Sequence, residues 1–423
     1  MQVADILGLA AVEKSDLYFT LLLKDLGCSS NAARICQLYL TDDLAFKKDF
    51  KLVDGTTRQG FEFVMRNTGT ESGLLGRIKT LTHVLKNAGD IAQEVIQTRC
   101  DRGAEIARLM RFSETVAQGI AGLDEHWDGG GRPIGAVGNT IPLNARIALM
   151  AQVTDVFTME LGAHAAAIEL KTRSGKWFDP ELVPVFLRVI QRGGFEKSLR
   201  DPALESIVFA NEPAHHTRIV DDDYLDEISY AFARVIDAKS PFTHGHSERV
   251  ATYTDMICRQ LGYDHAHRRW MARAALLHDI GKLGISNAVL DKPGKLTDDE
   301  FRIMKSHPVM GQEILSRVEV FSELNMVAMA HHERLDGKGY PYGKSAPSLT
   351  RNMRVLAVAD IFDALTADRP YRAALSLEKT YEIMDDMAGS AIDPDCYSAL
   401  KTSIAARDHS ERSTGSKPPN LQK

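Results

Sequence analysis

The chain has 423 residues, with 51 Lys and Arg against 57 Asp and Glu and a formal net charge of −6. At 26% charged and 44% hydrophobic residues it has the make-up of a soluble globular protein, long enough for two or three domains. The mildly acidic balance argues against a binder of duplex DNA or anionic membrane, and no apolar run approaches the ~18 residues that would span a bilayer.

The chain begins MQVADILGLAAVEKSD, without the basic start and cleavage-like site of a signal peptide. Five cysteines (Cys28, Cys36, Cys100, Cys258, Cys396) form no CxxC pair, which predicts reduced thiols in a cytoplasmic protein. Further on, AALLHDIGKLGI, GQEILSRVEVFSEL and LEKTYEIMDDMA repeat apolar residues every three or four positions, the stripe of an amphipathic helix. KPGKLTDDE predicts a turn, an N-cap and an acidic first turn, and His307-Pro308 the start of another helix. Alternating strand-like runs are scarce. The prediction is an all-α protein, with a disordered polar tail over 407–423.

Two stretches resemble each other. DEHWDGGGRPIG from Asp124 aligns with HERLDGKGYPYG from His332, and Gly103 and Gly311 each precede the aligned aspartate by 25 residues. VTDVF pairs Asp155 with Asp360, FDPELVPVF echoes IDPDCYSAL, and LLLKDLGC echoes ALLHDIGK. Five matches in one order predict a duplication: a unit over 1–192, a connector over 193–223 and a second unit over 224–406. The copies differ in chemistry. Where the second has His278, His307, His331 and His332, the first has Lys24, Arg99, Leu123 and Asp124, and only the aspartates Asp25 and Asp155 persist.

Eight of the fourteen histidines lie between His244 and His332. His246, His278, Asp279, His307, His331, His332 and Asp360 form a metal-type set, while His215, His216, His244, His265, His267 and His409 are read as ordinary hydrogen-bonding residues. Imidazoles and carboxylates without thiolates suit first-row ions, and five His with two Asp exceed what one ion uses. Two ions sharing a carboxylate fit the number, with Asp279 as the bridge and Lys282 one turn beyond His278. Such a pair is a device for hydrolysing phosphate esters. Lys282 would steady the developing charge.

The segments HGHSERVATY, AALLHDIGKLGIS, KPGKLTDDEF, KSHPVMGQEIL, AHHERLDGKGYP and VLAVADIFDALTADRPYR together resemble the HD-GYP family of cyclic dinucleotide phosphodiesterases, over about 224–400. The GYP triplet is Gly339-Tyr340-Pro341. The resemblance implies two HD-type helical bundles in tandem, the first a degenerate copy with a structural or regulatory role. It implies hydrolysis of cyclic di-GMP to pGpG or GMP, with the hybrid 3′,3′-cyclic GMP-AMP as the alternative substrate. Two divalent ions, Fe or Mn, would sit on His246, His278, Asp279 and Asp360, and on Asp279, His307, His331 and His332. Lys282 would lie near the attacking water, Arg369 and Arg372 would grip substrate phosphates, and Tyr340 would shape the substrate mouth. Contact of the GYP loop with diguanylate cyclases, and a homodimer, belong to the same expectation. Some members carry a glutamate for a third ion four residues before the first ligand histidine; here that position is Phe242, which predicts a two-ion centre. A non-catalytic cyclic dinucleotide receptor is the other class of reading, and lost metal ligands would mark it.

Overall fold

The computed structural model describes residues 1–32, 34–35, 65, 68, 81–82, 84, 86–213, 220–368 and 372–414, and of 408–414 the backbone alone. Among the described residues the structure is helical, and its only β-type pairings are isolated bridges such as Ala388 with Ile392. None of these helices is long and apolar enough to cross a membrane.

The chain divides into two compact units, Met1–Asp221 and Asp222–Lys423. The first holds α1 (Gln2–Ile6), α2 (Ala11–Leu23), α3 (Ala88–Leu109), α4 (Glu114–Ala121), α5 (Leu143–Leu161), α6 (Ala163–Thr172), α7 (Val183–Ile190), α8 (Phe195–Leu199) and α9 (Leu204–Ala210). The second holds α10 (Asp222–Asp237), α11 (His246–Gln260), α12 (His265–Leu277), α13 (Asn287–Leu290), α14 (Asp298–Met304), α15 (His307–Leu315), α16 (Ser322–Met329), α17 (Arg351–Thr366), α18 (Leu377–Met387) and α19 (Pro394–Thr414).

Two boundaries differ from the sequence reading. The segment expected as a connector belongs to the first unit as far as it is described: Phe195 packs on that unit's core, and the Tyr18 hydroxyl donates to the Val208 carbonyl at 3.2 Å. The expected disordered tail is helical to Thr414. Without Pro or Gly before Gly415, the helix propagates beyond the packed turn around Ile404.

Local chemistry starts three helices of the second unit. Asp264 caps α12 by accepting from the His267 amide at 2.8 Å. Thr297 and Glu300 cap α14 reciprocally, at 3.3 and 2.6 Å. Pro308 lies in the first turn of α15, where a missing N–H costs nothing. Helix α17 is buried along most of its length; Phe362 faces the core and meets Tyr253 edge-on at 4.9 Å. Each side chain of that size stabilises the fold by about 1.5–3 kcal/mol on burial.

The apolar periodicity runs on where the helices do not. α12 stops at Leu277 and a 3₁₀ turn follows over Ile280–Gly284, so AALLHDIGKLGI is broken at its histidine. α15 likewise ends at Leu315, before α16. The turn after the first break makes a close approach: a Cβ on Gly281 would lie 1.9 Å from the carbonyl oxygen of His307 and 2.6 Å from the amide of Gly311.

The same local devices recur in both units. Glu125 accepts from the amides of Ile134 and Ala136 at 2.7 and 2.8 Å, and Glu333 from those of Tyr342 and Lys344 at 2.8 Å each. Gly131 and Gly339 both press backbone against the segment preceding their loops, and Gly27 meets the Arg99 carbonyl as Gly281 meets that of His307. Arg146 pairs with Asp179 at 2.7 Å, and Arg354 with Asp393 at 2.9 Å.

Candidate metal centre

Helix ends of the second unit bring the seven predicted donors together. His246 opens α11, His278 follows α12, Asp279 precedes the 3₁₀ turn, His307 opens α15, and His331 and His332 follow α16. Asp360 projects from the middle of α17. His246, His278, Asp279, His307 and His331 are each 1% exposed and Asp360 6%, whereas the His332 side chain is 25% exposed.

Three of these rings are oriented by one device. The last carbonyls of a helix have no partner within it. The Nδ1–H of His278 donates to Ala275 O at 2.6 Å, that of His307 to Met304 O at 2.7 Å, and that of His331 to Ala328 O, three residues back in every case. A proton on Nδ1 leaves Nε2 with a lone pair directed inward.

Asp279 stands between two groups of these nitrogens. Its Oδ2 is 3.3 Å from Nε2 of both His246 and His278, and its Oδ1 is 3.4 and 3.7 Å from Nε2 of His307 and His331. Asp360 Oδ1 completes the first group, 3.5 Å from His246 Nε2 and 3.8 Å from His278 Nε2. Asp360 Oδ2 lies 3.8 Å from His332 Nδ1. The nitrogens approach one another as well, at 3.3 Å for His246 with His278 and 3.2 Å for His307 with His331. The buried Asp279 Oδ1 has no hydrogen-bond partner. Inward lone pairs and an unpaired carboxylate oxygen repel one another unless a cation lies between them. Donors about 2.0–2.2 Å from an ion sit roughly 3–3.5 Å apart, so the donor set fits a metal.

The charge states agree with that fit. Burial raises the cost of ionising Asp279, yet His278, Lys282 and His246 outweigh it and hold the carboxyl well below its usual range. Burial lowers His307 to about 4 and His331 well below the ordinary value, keeping both neutral. At His246 burial also opposes charge, but the hydrogen bonds it donates to Asp279 and Asp363 outweigh it and raise the ring to about 9. A cation must displace that proton. Below about pH 9 the metal-free His246 holds it, so apparent affinity for the ion on this side should rise roughly tenfold per pH unit up to that value and then level off. Calorimetric titration of metal-free protein with Mn²⁺, in buffers of different ionisation enthalpy at pH 7.5, should count about one proton released by that ion.

Lys282 lies on the 3₁₀ turn and reaches Asp279 Oδ2 at 2.5 Å. Tyr340 packs against His332, with ring centroids 4.6 Å apart, and burial together with Asp360 and Asp279 raises its phenol. Arg372 donates to the carbonyls of Ala364, Leu365 and Ala373, at 2.7–3.1 Å, so its guanidinium closes the end of α17. Arg369 lies outside the described residues. Phe242 brings no carboxylate to the site. Two residues not singled out in the sequence do reach it: Asp363 accepts from His246 Nδ1 at 2.6 Å and from Arg249 Nε at 2.6 Å. Their signal was an Asp three residues after Asp360 and an Arg three after His246, one helical turn in each case.

In the first unit, cations of the chain itself occupy the aligned positions. Lys24 contacts Asp25 at 2.5 Å and Gln152 at 3.1 Å, and Arg99 pairs with Asp124. Among the described residues, the His, Cys, Asp and Glu groups able to hold an ion all lie in the second unit.

Comparison with known proteins agrees with this geometry. The HD domain family matches residues 75–182 and 231–396. The 3'3'-cGAMP-specific phosphodiesterase 3 of Vibrio cholerae is 52% identical over 398 residues, 94% of this chain and 86% of that protein. The cyclic di-GMP phosphodiesterase response regulator RpfG of Xanthomonas campestris is 39% identical over 170 residues, 40% of this chain and 45% of its own length. A crystal structure of a cyclic GMP-AMP specific phosphodiesterase of V. cholerae, V-cGAP3, superposes with a TM-score of 0.61 at 45% identity, covering 96% of this chain and 90% of that one. Family match, whole-length likeness and a buried HD doublet followed by a GYP loop lead to one conclusion: the chain belongs to the HD domain family, in its HD-GYP branch.

Proposed function

We propose that the chain is a metal-dependent phosphodiesterase that opens a 3′,3′-linked cyclic dinucleotide, with two divalent ions, Fe or Mn, in the second unit. The observation that carries this reading is Asp279, whose two oxygens face two separate groups of inward imidazole nitrogens. His246, His278 and Asp360 would hold one ion with Asp279, and His307, His331 and His332 the other. When bound, such ions supply Lewis acidity at the phosphate and lower the pKa of water beside it.

The chain's own residues do the rest. Asp279 keeps the two halves at a fixed spacing. Lys282, held against that carboxylate, places a positive charge where the phosphate's negative charge grows. Tyr340 walls the exposed side of His332. Water replaces one P–O ester bond, and a linear dinucleotide leaves with a terminal phosphate. Lys282→Ala should keep both ions and lower kcat by about 10²–10³-fold. Elemental analysis beside steady-state rates checks this, and loss of metal would remove Lys282 from that role.

The relative sharing both units is named for 3'3'-cGAMP, whereas RpfG, named for cyclic di-GMP, matches 40% of this chain. That supports the hybrid dinucleotide as the preferred substrate, with cyclic di-GMP as the second reading. The first unit would be a metal-free copy of the same frame, its charge balanced by Lys24 and Arg99. Incubating Mn- or Fe-loaded protein under reducing conditions with each dinucleotide, and resolving products by chromatography, tests the whole reading. No turnover of either would end it.

A further inference from the structure

Of the four ligand rings anchored by a hydrogen bond at Nδ1, that of His246 meets a carboxylate where those of His278, His307 and His331 meet a carbonyl. Helix α17 holds the His246 ring from both sides: Asp360 Oδ1 is 3.5 Å from Nε2, and Asp363, one turn further on, is 2.6 Å from Nδ1. Asp363 is fully buried. Its charge is matched by Arg249, which donates through Nε to Oδ1 at 2.6 Å and through Nη2 to Oδ2 at 3.1 Å. Arg249 also donates through Nη1 to His244 O at 2.8 Å, tying this pair to the loop that leads into α11. Both Asp363 oxygens are thus acceptors, and Oδ2 serves the imidazole and the guanidinium together.

We propose that Asp363, its orientation fixed by Arg249, is a positioning residue that holds a proton on His246 Nδ1, so that Nε2 is the nitrogen offered to the ion on the His246, His278 and Asp360 side. The proposal rests on the two-ion reading above. A ring fixed in the other tautomer would turn an N–H toward the ion and could not ligate it. The carbonyl-anchored rings of His307 and His331 have no such dependence.

The geometry singles out Asp363→Asn. The amide must place its NH₂ on one of two sites that Arg249 approaches as a donor. At the Oδ1 site the NH₂ would face Arg249 Nε at 2.6 Å, a donor that cannot shift its proton; at the Oδ2 site it faces Arg249 Nη2 at 3.1 Å and His246 Nδ1 at 2.6 Å, and the imidazole can move its proton, so the NH₂ is driven to the Oδ2 side. A donor there forces the ring proton onto Nε2. Asp363→Asn should therefore weaken one of the two ions by about 10–100-fold and leave the other unchanged. Adding Arg249→Met removes the constraint, lets the amide oxygen turn to Nδ1, and should restore most of the lost affinity.

The experiment is a Mn²⁺ titration of metal-free full-length protein, with elemental analysis after dialysis, for wild type, the single variant and the double variant. Two ions in wild type, one tight and one weakened ion in the single variant, and recovery in the double variant support the proposal. Two ions at unchanged affinity in Asp363→Asn overturn it, as does a double variant no better than the single. If the single variant does not fold, Asp363→Ala combined with Arg249→Met, which leaves His246 Nδ1 without its carboxylate and no buried charge unpaired, decides: one weakened ion supports the assignment and two at unchanged affinity overturn it. A wild type that takes up no Mn²⁺ defeats the two-ion reading itself, which separates that failure from this one.

Discussion

Asp279→Ala is expected to remove both ions and all measurable turnover in one step. Each oxygen of this carboxylate faces a different group of imidazoles, so truncation deprives both halves of a donor at once. It also leaves the Lys282 ammonium without its 2.5 Å partner beside inward-facing nitrogens, adding repulsion to any incoming cation. Loss of two Lewis acids is worth several kcal/mol at the transition state, so hydrolysis should fall at least ~10³-fold. Elemental analysis and product chromatography on one preparation check both halves of this expectation. Asp25→Ala, at the aligned position of the first unit, is the control and should leave metal content as it is. An Asp279→Ala protein retaining two ions would refute the bridging role.

Gly281→Ala should be nearly as damaging for a different reason. The new Cβ would meet the His307 carbonyl oxygen at 1.9 Å and the Gly311 amide at 2.6 Å, and neither belongs to a flexible side chain that could turn away. The turn carrying Asp279 and Lys282 must then separate from the start of α15, which carries His307. Overpacking of this kind costs about 3 kcal/mol, a Tm loss of roughly 6–12 °C for a unit of this size. The ion on the His307 side should weaken with it. Gly294→Ala, with nothing within 4 Å, should change neither Tm nor metal content. Thermal unfolding and metal titration of the pair separate backbone crowding from a general effect of alanine.

The donor set was readable from sequence because its chemistry is carried by residue type. Histidines and aspartates spaced along helix-forming stretches have few other reasons to accumulate, and the structure gathers all seven. What the sequence hid is non-local. The break at His278 was invisible because the apolar period continues through it, and the turn that follows packs on the backbone of His307, almost thirty residues away. Asp363 and Arg249 look in isolation like an ordinary ion pair on two helices; only the packing of α17 beside α11 turns them toward a ring nitrogen. Arg372 is similar. Its guanidinium was expected at the substrate phosphates, and what the structure adds is that it also donates to carbonyls at the end of α17, a non-local contact that no motif spells out. Polar composition says little about which neighbours a segment finds, and it is contacts far along the chain that place α8 and α9 in the first unit.

The histidines that close helix ends make the cage part of the scaffold. His278, His307 and His331 satisfy carbonyls that would want a donor whether or not an ion is present. Chelation should therefore strip the cations without melting the bundle, and reloading should be a matter of diffusion rather than refolding. A receptacle of that kind accepts whichever borderline ion its surroundings supply, so the metal recovered with the protein should follow the growth medium.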